Sequence, residues 1–122
     1  MSKTPLFTLA SIVLDSPDAR ELAQFYRRIL GWTVGEDEPD WVRLIDPDGG
    51  PGLSFQIEHA HVRPTWPSHL SDQQMMLHLD ITVEDLDAAE DLDVEAGAVL
   101  AEYQPQDGLD PAGHPFCLFQ RG

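Results

Sequence analysis

Basic residues are scarce in this chain. Its 122 residues hold seven bases, a single lysine and six arginines, against twenty-two acids, for a formal net charge of -15. A field of that sign repels phosphate backbones and anionic lipid, which argues against nucleic acid and membrane surfaces as partners. The plain reading of the charge is solubility or adaptation to salt, and the functional alternative is steering of a cationic ligand. Cysteine is scarcer still. Cys117 alone supports no intramolecular disulfide framework and suits a reducing compartment. No run approaches the ~20 apolar residues of a membrane span. The opening Met1-Ser2-Lys3-Thr4-Pro5 lacks the charged-then-apolar build of a secretory signal, so a cytoplasmic location is expected. A glycine-rich phosphate loop and a serine or cysteine triad motif are also missing, so no covalent mechanism and no catalytic residue is assigned.

What is present is enough for one folded domain over residues 1–122, with 42% apolar and 24% charged residues. Residues 6–14 (LFTLASIVL) read as a buried strand. Ser16-Pro17-Asp18 then starts a helix, with serine as cap, proline at the first position and the aspartate at the positive dipole end. Ala19, Leu22, Ala23, Tyr26, Ile29 and Leu30 make its apolar stripe, and Gly31 ends it. Strands follow at Trp32–Val34, Trp41–Ile45 and Leu53–Ile57, and the turn-rich Asp46–Gly52 separates the last two, as in an antiparallel meander. Residues 59–74 lack periodicity and read as a connecting loop.

The order then repeats. Met75–Val83 reads as a strand and Glu84–Ala96 as a helix with Leu86, Ala89, Leu92 and Ala96 inward, stopped by Gly97. Val99–Tyr103 and Phe116–Phe119 read as strands. The turn Asp110-Pro111-Ala112-Gly113 echoes Asp46-Pro47-Asp48-Gly49. With Ser11 set against His78, the helix-ending glycines fall 20 and 19 residues later, an internal repeat of modules at about 5–58 and 75–120. The acids crowding the second helix read as a solvated face, because like charges at that density repel unless hydrated.

Four segments carry a family resemblance: SIVLDSPDARELAQFYRRILGW, DPDGGPGLSFQ, HLDITVEDLDAA and DPAGHPFCLF. In this order they resemble the vicinal oxygen chelate superfamily (glyoxalase, bleomycin resistance protein and dioxygenase). The Phe25-Tyr26 pair before Ile29-Leu30-Gly31-Trp32 is similar to its common helix ending. The resemblance implies an α+β fold, two tandem βαβββ modules forming an open curled sheet around a cleft, and a homodimer. Metal-dependent members hold one divalent ion through histidine, glutamate or glutamine on matching strands. Carried over, those positions are Ser11, Gln56, His78 and Cys117, the last where the family usually has glutamate. A hydroxyl is a poor ligand beside imidazole or carboxylate. The metal reading therefore rests on His78 and Gln56, with zinc, nickel, manganese or iron as the candidates, and the expectation is that no cofactor is held. The plain alternatives are a buried, paired His78 and a Cys117 that packs as a small hydrophobe. His59, His61, His69 and Glu58 form a weaker zinc candidate and read as exposed loop residues.

For a cleft, the resemblance points to the aromatics Trp41, Phe55 and Trp66, with Trp32 beside them, and to the polar groups Ser11, Gln56 and His78, with Cys117 adjoining. Three functions fit. The favoured one is a small-molecule-binding protein without the standard divalent metal site. The second is a metal-dependent lyase, isomerase or dioxygenase, and the third is an interaction module suggested by the acidic helix.

Overall fold

The structure, a computed structural model, describes residues 6–66, 68–101 and 107–120. The first module is β1 (Ser11–Ser16), α1 (Ala19–Leu30), β2 (Thr33–Glu38), β3 (Trp41–Ile45) and β4 (Gly52–Ile57). The second is β5 (Leu79–Val83), α2 (Leu86–Ala96), β6 (Val99–Leu100), β7 (Asp107–Leu109) and β8 (Pro115–Gln120). Each module makes its own four-stranded mixed sheet, ordered β1-β4-β3-β2 and β5-β8-β7-β6. The outer strand of each is parallel to its neighbour, and the meander is antiparallel. The sheets are open, and no described helix is long and apolar enough to cross a membrane.

Helix α1 forms where the apolar spacing and end signals agree. Asp18, not Ser16, is its N-cap and accepts the Glu21 amide; Gly31 closes it at φ 71°. Ser16 instead supports the cap, its hydroxyl taking the Asp18 amide at 3.0 Å. The helix buries Leu22, Phe25 and Tyr26 completely or nearly so. Tyr26 stacks on Phe55 of the first sheet at 5.7 Å, while Phe25 meets Phe116 of the second at 5.7 Å. One helix thereby joins both modules to a common core.

Several boundaries differ from the sequence expectation, and a missing partner explains the late starts of β1 and β5. The first strand begins at Ser11 rather than Leu6, because the ladder of β4 starts with Ser11 opposite Gly52. Leu6 and Phe7 are left 95% and 93% exposed. Likewise β5 starts at Leu79 rather than Met75, where it meets Phe116. Strand β2 runs on to Glu38 past an irregularity between Val34 and Glu36. Strand β7 went unread because Asp107-Gly108-Leu109 lacks β-branched residues. In the Val99–Tyr103 expectation only Val99–Leu100 forms strand, and Tyr103 lies outside the described residues. In α2 the buried face holds Asp93 while Leu92 is 40% exposed. Positions 86, 89, 93 and 96 recur at the helical 3-4-3 spacing, and 92 falls a quarter-turn off it.

Candidate functional site

Strand alternation decides which side chains face the core. Ile12, Leu14, Val42, Leu44, Leu53 and Phe55 belong to the core cluster, as do Leu79, Ile81, Phe116 and Leu118. The opposite faces carry Ser11, Val13 and Asp15 on β1, Ser54 and Gln56 on β4, and Asp80 and Cys117 on the second sheet. Phe55 is therefore a correction to the expected cleft. It is fully buried against Tyr26, because odd positions of β4 point to α1.

The four carried-over positions divide between the sheets. Ile12 pairs with Leu53 and Leu79 with Phe116, so Ser54 holds in β4 the place Cys117 holds in β8. The hydroxyls of Ser11 and Ser54 lie 2.7 Å apart, and Ser11 also donates to the Gly52 carbonyl at 3.2 Å. Gln56 sits two residues further on and donates its amide to Asp15 at 2.7 Å. On the second sheet His78 Nε2 lies 3.3 Å from Asp80 Oδ1, with side chains 45% and 57% exposed. His78 is thus not the buried histidine the sequence allowed. Ligand atoms of His78, Asp80 and Cys117 fall within 4.8 Å of one another. Asp80 was not foreseen, although its spacing of two from His78 on a strand would have shown it.

A second polar centre lies at the turn before β8. Asp110 is fully buried. Its Oδ1 accepts the amides of Ala112 and His114 at 2.9 and 3.0 Å. Its Oδ2 accepts the Tyr26 hydroxyl at 2.7 Å and His114 Nδ1 at 2.9 Å. Burial first, and then the neighbouring Asp110 charge and hydrogen bond, hold the Tyr26 hydroxyl well above the ordinary tyrosine range. The connecting loop is latched onto the same turn. His61 Nε2 bonds the Ala112 carbonyl at 2.9 Å and Arg63 donates to the Pro111 carbonyl at 2.9 Å. His61 is half-buried rather than exposed, with its ring 5.7 Å from that of His114. His59 and His69 are exposed, and no zinc cluster joins them to His61 among the described residues.

Beside this latch lies a solvent-open cavity of about 260 Å³ between the open face of β1, residues 58–64 and 73–77 of the connecting segment, and His114. Its walls include Val13, Met76 and Leu77 with Asp15, Glu58 and His61, an apolar surface with a few polar groups, as ligand pockets have. A larger groove of about 540 Å³ runs over α1 between Arg28, Arg63 and Gly97, on the helix side of the sheets. Of the residues expected around the cleft, Trp41 is half-buried and donates its indole N–H to Glu36 at 3.0 Å. Trp66 is half-buried in the loop and lines neither cavity. Trp32 packs against the core. Of the polar residues that line the smaller cavity, Glu58 and His61 belonged to the weaker zinc candidate, Asp15, Gln73 and Gln74 carried no signal in the sequence, and His114 carried none beyond the Asp-Pro-x-Gly-His turn.

The fold recurs in solved proteins. A glyoxalase/bleomycin resistance protein/dioxygenase family enzyme from Burkholderia phytofirmans PsJN superposes with a TM-score of 0.70 at 18% identity, over 92% of this chain and 97% of its own. A glyoxalase-related enzyme from Fulvimarina pelagi gives 0.67 at 20% identity, over 95% and 89%. The bleomycin-binding protein of Streptomyces verticillus, solved with copper(II)-bleomycin, gives 0.58 at 17% identity, over 98% and 100%. At such identities the likeness is one of fold. No curated protein matches the sequence. The family model of the glyoxalase-like domain matches residues 11–119, and the chain belongs to that family, within the vicinal oxygen chelate superfamily.

Proposed function

We propose that this protein binds a small organic molecule in the cavity between β1, the 58–77 loop and His114, without the standard divalent metal of its superfamily. The carrying observation is that cavity, whose apolar floor of Val13, Met76 and Leu77 is set with Asp15, Glu58 and two imidazoles. The first-sheet donors do not fit a divalent ion. Ser11 and Ser54 offer only neutral hydroxyls bonded to each other. Gln56, whose amide nitrogen donates to Asp15, offers only a neutral amide oxygen, so this set lacks the imidazole and carboxylate that grip such an ion. A relative of the same fold binds copper(II)-bleomycin, which supports a ligand-holding role here. The single cysteine suits a cytoplasmic setting. Edge strands β1 and β5, with Val13 and Phe119 exposed on the open faces, support a homodimer, which light scattering measures directly. The test of binding is a thermal-shift panel of small organic compounds, followed by NMR. A ligand at a hundred times its Kd stabilises by about 2.7 kcal/mol, and its shifts should centre on Val13, Met76 and His114. Silence across a broad panel would refute the reading.

A second reading, a metal-dependent lyase, isomerase or dioxygenase, is favoured by one observation, the grouping of His78, Asp80 and Cys117. Imidazole, carboxylate and thiolate suit zinc, and three protein ligands leave positions for substrate. Zinc held there would polarise a substrate oxygen. Purified protein carrying stoichiometric metal that is lost in His78→Ala would establish this reading, and protein refolded with zinc yet free of it after dialysis would remove it.

A further inference from the structure

The cavity's hydrogen-bonding pattern also names a ligand class, an inference that rests on the cavity being a binding site. The Ala112 carbonyl can only accept, so His61 Nε2, 2.9 Å away, carries the hydrogen and leaves Nδ1 with its lone pair in the neutral ring. Asp110 settles the other ring by the same logic. With two backbone amides and the Tyr26 hydroxyl donating to it, it is an acceptor, so His114 Nδ1 donates, and in the neutral ring Nε2 keeps the lone pair. Neither of these ring nitrogens has a partner among the described residues. Burial, the Asp110 charge and the hydrogen bond all keep Tyr26 protonated, so it remains the donor behind this arrangement.

The carboxylates point the same way. Asp15 Oδ1 accepts the Gln56 amide at 2.7 Å, and Glu58 Oε1 accepts the Ala60 amide at 2.9 Å. The second oxygen of each has no partner among the described residues. Among the described lining residues there is no lysine or arginine, and Gln73 and Gln74 bring only neutral amides, so two carboxylates face the cavity without a counter-charge. An anion would be repelled, and a neutral apolar guest would displace water from these acceptors without replacing its hydrogen bonds.

We propose that the cavity binds an organic cation bearing N–H donors, an amidinium or protonated amine on an apolar body. Asp15 and Glu58 supply the charge, His61 Nδ1 and His114 Nε2 accept hydrogen bonds, and Val13, Met76 and Leu77 hold the apolar part. Charge-assisted bonds of this kind are about twice as strong as neutral ones.

Three probes of one shape test it by NMR titration of the full chain: benzamidine, benzamide and benzoate. Benzamidine should shift Val13, Ala60, Met76 and Leu77 saturably, benzamide should bind about tenfold more weakly or worse, and benzoate should not bind. Asp15→Asn and Glu58→Gln, which keep shape and remove charge, should each weaken benzamidine about threefold or more and weaken benzamide by a smaller factor. Arg28→Gln, in the larger groove, should change neither. Nitrogen-15 spectra of the rings should show protonated Nδ1 in His114 and protonated Nε2 in His61 at neutral pH. Benzamide or benzoate matching benzamidine would overturn the cation assignment and leave the cavity as a binding site. Failure of benzamidine to bind, while other panel compounds shift these same residues, would do likewise. If no compound of any charge moves them, the cavity reading falls as well.

Discussion

Replacing Asp93 by asparagine should stabilise the protein at neutral pH and lose that advantage in acid. Asp93 is 2% exposed, on the inner face of α2, and its Oδ1 has no hydrogen-bond partner among the described residues. Burial first, and then the nearby Glu90, push its carboxyl up to about 6 from the ordinary 3.8, against a smaller opposing pull from the Val94 amide. The gap corresponds to roughly 2–3 kcal/mol. The sign follows from proton counting. Between about pH 4 and 6 the folded state holds a proton on Asp93 that the unfolded state has released, so stability falls as pH rises through that window. Above it, the ionised carboxylate carries the whole cost. The asparagine variant has no such proton to lose. Urea unfolding of both proteins at half-unit steps from pH 4 to 8 should give a stability difference near zero at pH 4. The difference should grow to roughly 2–3 kcal/mol in favour of Asp93→Asn at pH 8, with half of it gained by about pH 5 and the plateau reached just above about 6. Taking the difference removes the background from the other acids. A pH-independent difference, or a variant less stable at pH 8, would refute the assignment of Asp93 as a buried, underpaired acid.

Other perturbations probe the joint between the modules. Tyr26→Phe removes the hydroxyl that donates to buried Asp110 at 2.7 Å and should cost about 1.5–3 kcal/mol by urea unfolding, as for bonds to charged groups. In a Tyr103→Phe background, absorbance should show no phenolate from Tyr26 near pH 10 while the protein stays folded, because its hydroxyl is held well above that range. Stability should fall with rising pH above about 10, where only the unfolded chain releases that proton. Gly52→Ala should cost about 1–3 kcal/mol, since its Cβ would overlap the Leu44 carbonyl of the adjoining strand, and calorimetry of the variant checks this.

How much of this was legible in the sequence depended on whether local and tertiary signals agreed. Helix α1 was read to its last residue because its apolar spacing, acidic start and glycine stop all coincide. The repeat was legible down to its turns. Gly49 and Gly113 close on the carbonyls of Asp46 and Asp110 at 3.1 and 2.8 Å, and each aspartate takes the amide two residues on. Strand limits were misjudged where apolar residues outran their partners, as at Leu6 and Met75. Placement across sheet faces was harder. The pairing register puts Ser54, two residues before Gln56, at the place Cys117 holds in the second sheet, and strand register cannot be read from the chain alone. Nor can a sequence show that a loop histidine such as His61 will be tied to a turn some fifty residues away.

The two halves share one hydrogen-bonded turn but use it differently, and that difference locates the chemistry. Asp46 caps the turn between β3 and β4, where among the described residues its side chain bonds only the Asp48 amide. Asp110 caps the equivalent turn while buried, and binds Tyr26 from the first module and His114 beside it. The same asymmetry separates Ser11 and Ser54, which satisfy each other, from His78 and Cys117, which stand with Asp80. The first module thus supplies the helix and the walls of Val13 and Asp15, and the second supplies groups able to accept or donate protons. A ligand held between β1 and His114 would touch both. Its binding should therefore report on the Tyr26–Asp110 joint, and Tyr26→Phe should weaken benzamidine as well as the fold.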